Sequence, residues 1–174
     1  MAVTLLDWIA DLGPVDRNLT LFVDKGTDTG AVMRSALRAF REVRVQEIPK
    51  SGAPWPGCNN FVWYHMCRVM AAQNSPWLLL ETDMAPCASD WVQRLENEYT
   101  RARKPFLGAW VESYDIMNGG GVYPPDVRPW CPEFFKKNPL VARAYDCVVA
   151  PEIIWFTHNA SHLMPNVWFT RGNG

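Results

Sequence analysis

The sequence predicts an α/β fold with a mostly parallel sheet and an antiparallel late strand. Three observations carry this. Residues 19–23, 31–41 and 43–48 read as strand, helix and strand, the unit of a parallel sheet. Residues 77–80 are a continuous apolar run between Pro76 and Pro86, as expected of a strand buried on both faces. Residues 106–111 form a second apolar strand, reached from the first through a helix.

The elements follow in order. Residues 4–12 carry apolar side chains at helical spacing and stop at Gly13-Pro14. Strand 19–23 ends in a polar turn over 24–30. Helix 31–41 leads to strand 43–48, then to a Pro- and Gly-rich loop over 49–60. Asn59 or Asn60 is placed to cap a helix over 61–72. Ser89 or Asp90 caps a helix running to about Arg103. After strand 106–111, Asn118-Gly119-Gly120-Gly121 reads as a turn, a hinge or a bulge. Residues 141–149 have helical character, 152–157 read as a strand, and 165–174 as a loop or tail.

Composition bounds the function. At 174 residues, with 48% apolar and 20% charged residues, a single globular domain over 1–174 is expected. A net charge of −1 gives no overall steering toward nucleic acid or anionic membrane. Arg34, Arg38 and Arg41, and Arg101, Arg103 and Lys104, read as solvated helix faces or helix ends rather than phosphate tracks. The five cysteines are odd in number and form no CxxC pair, against both a zinc ribbon and a disulfide framework. A reducing, cytoplasmic setting is expected, with no signal peptide. No apolar run approaches about 18 residues, so no membrane span is expected.

Candidate chemistry gathers at strand ends. Glu81 and Asp83 follow the 77–80 run one residue apart. Side chains alternate across a strand, so both point the same way, at the end where open α/β sheets place ligands. Two hard oxygen donors there suit Mg²⁺ or Mn²⁺, with a diphosphate supplying further ligands. A polar turn at a strand end would show the same triplet. Asp24 occupies the equivalent place on the first strand, as a base or ribose contact or as a turn residue bonded to its own backbone. The segment 54–60, Pro-Trp-Pro-Gly-Cys-Asn-Asn, opens a helix whose N–H groups could receive a phosphate or hydroxyl, or simply be capped. Glu112, Asp115 and Asp146 are candidate general bases or exposed carboxylates. His158 follows an apolar run and could complete a metal site or serve structurally. His158 and His162 stand four apart without the HExxH pattern of a zinc protease.

Taken in order, Pro-Trp-Pro-Gly-x-Asn, Trp-Leu-Leu-Leu-Glu-Thr-Asp-Met-Ala-Pro, Phe-Leu-Gly-Ala-Trp and Met-Asn-Gly-Gly-Gly-Val-Tyr-Pro resemble glycosyltransferases of the GT-A fold, over about residues 18–125. The resemblance implies a three-layer α/β/α architecture of the nucleotide-diphospho-sugar transferase kind. Residues 1–110 would then hold the donor and 111–174 the acceptor. It also implies Mn²⁺ or Mg²⁺ bound by Glu81, Asp83 and His158, with Glu81-Thr82-Asp83 standing for the family's Asp-x-Asp. Asp24, Asn59, Asn60, Thr82, Asn118, Gly119 and Gly120 would contact the nucleotide sugar, a UDP-sugar. Asp146, or else Asp115, would be the base of an inverting reaction. Compact enzymes of this kind occur in bacteriophages, where some glycosylate hydroxymethyl pyrimidines in DNA; the implied acceptor is therefore a hydroxyl, modified DNA included. Two rivals are a nucleotidyltransferase acting on a sugar phosphate and a non-catalytic nucleotide-binding module. The first lacks its usual glycine-rich basic loop, since 24–30 holds one Lys and two separated glycines.

Overall fold

A computed structural model describes residues 1–111, 116–136, 143–163 and 168–170. In chain order the elements are α1 (Ala2–Leu12), β1 (Val15–Asp24), α2 (Gly30–Ala39), β2 (Phe40–Ile48), α3 (Gly57–Ala71), β3 (Trp77–Leu79), β4 (Met84–Pro86), α4 (Trp91–Ala102), β5 (Phe106–Val111), β6 (Ile116–Tyr123), α5 (Pro132–Lys136), α6 (Tyr145–Ile153), β7 (Thr157–Asn159) and β8 (Trp168–Thr170). Short 3₁₀ turns occupy Ile154–Phe156 and Ser161–Leu163. No helix among the described residues is long and apolar enough to cross a membrane. The chain divides into two compact units, each discontinuous in sequence.

The first unit comprises Met1–Lys50, Glu81–Glu96 and Leu163–Gly174. Its β1 and β2 pair in parallel, with Leu19 opposite Val43 and Asp24 opposite Ile48. Parallel neighbours need a crossover, and α2 supplies it. α1 buries Leu5, Leu6 and Ile9, and packs on α2, where Ala36 and Ala39 are fully covered. Exposed ion pairs from Arg38 to Asp7 (3.2 Å) and Asp11 (3.5 Å) run along the same helix pair. β4 pairs antiparallel with β8, Met84 facing Thr170.

The second unit comprises Ser51–Leu80 and Asn97–His162. Its four-stranded sheet runs β3-β6-β5-β7. β6 is antiparallel to both β3 and β5, while β7 is parallel to β5. The core on this sheet is aromatic. Trp63 of α3 stacks on Tyr145 of α6 at 4.7 Å and meets Phe134 edge-on at 4.9 Å. Trp77 of β3 stacks on Tyr123 of β6 at 4.7 Å. Such geometries add to the burial of large rings, which dominates core energetics.

The mixed α/β class and the parallel β1-α2-β2 unit are as expected. Among the described residues, however, the strands form three sheets rather than one mostly parallel sheet. Four local expectations also change. α3 begins at Gly57, so Asn59 and Asn60 lie in its first turn and neither is the cap. Asn118–Gly121 is part of β6: of the turn, hinge and bulge readings the bulge is kept and the turn is not. Residues 152–153 end α6, and the chain becomes a strand only at Thr157. Part of the expected tail, Trp168–Thr170, is strand β8.

Candidate functional site

The apolar run 77–80 yields a strand only through Leu79. Glu81, Thr82 and Asp83 then make a turn, closed by the Met84 N–H donating to the Glu81 carbonyl at 3.0 Å. Strand alternation therefore does not set the direction of Glu81 and Asp83; the turn does. Glu81 is half-buried, whereas Thr82 and Asp83 are exposed. Thr82 and Asp83 open onto a cavity of about 330 Å³ in the first unit. Its other walls include Thr4, Leu5 and Trp8 of α1 and Met84 of β4. That volume lies at the small end of the range for ligand sites. Trp8 is 49% exposed, and its indole N–H donates to the Pro86 carbonyl at 2.7 Å. Both the ring's orientation and its polar edge are thereby fixed.

Asp24, also in the first unit, is exposed at the end of β1. Its carbonyl accepts from the Thr27 N–H at 3.0 Å, which makes the 24–27 segment a hydrogen-bonded turn. The neighbouring Asp28 accepts from the Gly30 N–H at 2.9 Å and so serves the start of α2.

The second unit holds the remaining candidates. Asn60 is fully buried, and its amide donates to the Arg143 carbonyl at 2.8 Å, a structural tie between α3 and the approach to α6. Asn59 is exposed and accepts from the Cys58 thiol at 3.5 Å. Asn118, Gly119 and Gly120 lie between Met117, which faces Trp110, and Gly121, which faces Gly108. Three residues of β6 therefore oppose the single residue Ala109, an irregularity of the β-bulge kind. Gly121 also faces Leu79, so Asn118–Gly120 run past the end of β3. Asp146 is half-buried in the first turn of α6, where Oδ1 accepts from the Cys147 N–H at 2.8 Å. Asp115 and Glu112 lie outside the described residues.

His158 has a partner that the sequence did not suggest. Its Nε2 lies 2.6 Å from Oε1 of Glu98, a buried carboxylate on α4. Arg101 donates to both oxygens of Glu98 at 2.7 Å, and His162 Nε2 approaches to 3.6 Å. Burial pushes the Glu98 carboxyl up, but hydrogen bonds from Arg101 and His158, with the charges of Arg101 and His162, outweigh it and hold the group below its ordinary value. His158 and Glu98 belong to the second unit, Glu81 and Asp83 to the first. Among the described residues no three His, Cys, Asp or Glu side chains converge so as to hold a metal ion by themselves.

Several basic side chains are committed within the chain. Arg41 pairs with Asp16 at 3.0 Å and Arg128 with Asp126 at 2.8 Å. Lys136 pairs with Glu133 at 3.0 Å, and Lys104 donates to the carbonyls of Trp155 and Thr157. Sequence reasoning missed Trp8 and Glu98. The spacing of Thr4 and Trp8, four apart on a helix, was a usable sign that they share a face. Nothing local marks Glu98, whose partner His158 is 60 positions away. No family model matches this chain, and no curated protein or solved structure matches it either.

Proposed function

We propose that the chain is a metal-dependent glycosyltransferase, moving a sugar from a UDP-sugar to a hydroxyl acceptor. The observation that supports this is the acidic turn: Asp83 and Thr82 leave β3 and face a cavity rather than bulk solvent alone. The donor set suits a hard cation held in part by substrate. Mg²⁺ is commonly bound by one or two carboxylates plus phosphate oxygens, without a protein cage. Asp83 and Glu81 would supply those carboxylates. When bound, the cation would neutralise charge on the departing diphosphate. Asp83 would fix the diphosphate end of the donor through the cation, at the edge of the open cavity. An inverting reaction also needs a base, for which Asp146 and Asp115 are the candidates. The reading brings with it the three-layer GT-A arrangement. The parallel β1-α2-β2 unit supports it, whereas the separation of the described strands into three sheets does not. A DNA acceptor draws no support from Arg128 and Lys136, whose charges are taken up by neighbouring carboxylates.

The test is release of nucleoside diphosphate from a panel of UDP-sugars with Mn²⁺. The wild-type protein is expected to release UDP, and Asp83→Ala to release it about a hundredfold more slowly. Because Asp83 is exposed, its replacement should change stability by no more than about 0.5 kcal/mol. Equal rates in both proteins would remove the metal site. Pyrophosphate as the product would point instead to nucleotidyl transfer. A melting temperature raised by UDP and Mn²⁺ without turnover would point to a binding module.

A further inference from the structure

We propose that the outer edge of β2 pairs with the same strand of a second copy of the chain, antiparallel about a two-fold axis at Arg44. The two β1-β2 pairs would then join into one four-stranded sheet across a homodimer. This pairing needs neither metal nor nucleotide and is independent of the transferase reading. β2 joins β1 in a two-stranded parallel sheet, and no other strand among the described residues pairs with it. Parallel strands are ordinarily well covered by their neighbours, and two strands alone are marginal. Of the nine residues of β2 only Phe40 and Ile48, at its ends, are buried. Val45 is 39% exposed and Val43 half-buried. Other edges of these sheets are blunted. β1 takes three residues from Val15 to Asn18 where β2 takes two, a bulge at which both carboxylate oxygens of Glu96 hold Arg17 at 2.7 and 2.8 Å. β3 and β7, the edges of the four-stranded sheet, have three residues each. Short or bulged edges resist further pairing. β2 is long, unbulged and free of proline and lysine.

The charges along β2 point to its own copy as the partner. In an antiparallel ladder, opposite residues exchange both backbone bonds, so an outward-facing residue must meet another outward-facing one. A two-fold axis through a residue meets that condition. Centred on Arg44, it overlaps the whole strand and sets Arg41 opposite Glu47, Glu42 opposite Gln46 and Val43 opposite Val45, each pair occurring twice. Alternation puts Arg41, Val43, Val45 and Glu47 on one face. Four valines from the two copies would form an apolar patch there, closed at each end by an Arg–Glu pair. Directly opposite side chains stand about 5 Å apart, near enough to cover Val45. Among the described residues nothing pairs with the Glu47 carboxylate. Arg41 gives N–H groups to Asp16 and Asn18 and keeps others of its five. Arg44 meets its own copy, but each is already paired with Glu42 of its own strand at 2.9 Å. Neighbouring axes fit less well. On Val43, the axis leaves Glu47 beyond the paired stretch; on Val45, it sets Val43 against Glu47. A peptide of one charge sign would match only part of this pattern.

Oligomeric state and register are both measured on the full chain. Sedimentation velocity between about 1 and 200 μM should show the 19.8 kDa chain passing into a species of twice that mass. Val45→Lys places an edge lysine in the apolar patch and should weaken the dimer at least about tenfold, with an unchanged far-ultraviolet circular dichroism spectrum. Cross-linking reads the register in a Cys87→Ser background, which removes the exposed thiol. Arg44→Cys should form an intermolecular disulfide under oxidised glutathione, since Cα atoms opposite each other lie about 5 Å apart, within reach of the bond. Glu42→Cys is exposed too, but its copy would stand four residues along, about 13 Å away, and it should not cross-link. A chain that stays monomeric throughout would overturn the proposal, and so would a dimer that Val45→Lys leaves intact. A dimer in which Glu42→Cys cross-links as readily as Arg44→Cys would overturn it as well.

Discussion

Glu98 shows how one side chain can be held by elements distant in sequence. A carboxylate 8% exposed survives because Arg101, His158 and His162 surround it with positive or donor groups. Its folded-state pKa lies below its ordinary value of 4.5, so its ionised form stabilises the fold above that pH. The contribution is lost as pH falls below 4.5 through the folded value. Glu98→Gln keeps the shape but removes the charge, and should flatten this part of the acid unfolding curve. The check is the melting temperature of both proteins between about pH 3 and pH 7, with the gap closing at the acid end. At pH 7 the variant should lose about 1–3 kcal/mol, because Arg101 and His158 lose a charged partner. A lost gap only at high salt would instead mark a screened surface pair.

The strands β5 and β6 carry the element-scale argument. Gly108 and Gly121 face each other where the register slips. A Cβ on Gly121 would stand 2.7 Å from the Leu107 carbonyl oxygen, a backbone atom that cannot turn aside. A Cβ on Gly108 would meet Met117 Cγ at 2.5 Å. Gly121→Ala should therefore cost about 1–3 kcal/mol by overpacking, measured by urea unfolding. An unchanged midpoint would mean that the two strands are not this close. The glycine run thus has a packing cause at Gly121, whatever the residues before it contact. This was only half legible. Glycine in an apolar context announces close approach, but whether to a ligand or to a strand depends on a partner elsewhere in the chain. Helix boundaries near caps and prolines were similarly ambiguous. Pro151 suggests a stop, yet α6 runs on to Ile153, whose side chain is buried in the core. A short apolar run such as 152–157 fits helix or strand equally, and tertiary burial decides. β1, α2, β2 and β5 were readable because their period and their punctuation agreed. Asn60 was not: the residue type suggests a cap, and only the fold brings it to Arg143.

Across the whole molecule the five thiols act as reporters. All are free: Cys87 is exposed, Cys58 and Cys147 are half-buried, and Cys67 and Cys131 are in the core of the second unit. Burial pushes the Cys67 and Cys131 thiols up, and their mutual charge adds to the shift at Cys67. A thiol-specific reagent at pH 8 should label Cys87 first and Cys67 and Cys131 only on unfolding. A reducing agent should leave the melting temperature unchanged. Early labelling of Cys131 would show that the aromatic core opens locally. The α/β class was visible in the sequence because it depends on local rhythm, while the division of the described strands into three sheets depends on pairings that no local rhythm encodes. One such pairing has a temporal side. The strand that leaves the acidic turn, Met84–Pro86, is matched by Trp168–Thr170. During synthesis the ribosome delivers the carboxylates long before it delivers their brace. The bond that closes the turn, from the Met84 N–H to the Glu81 carbonyl, is local and can form at once, but the strand leaving the turn stays unpaired until residues 168–170 emerge.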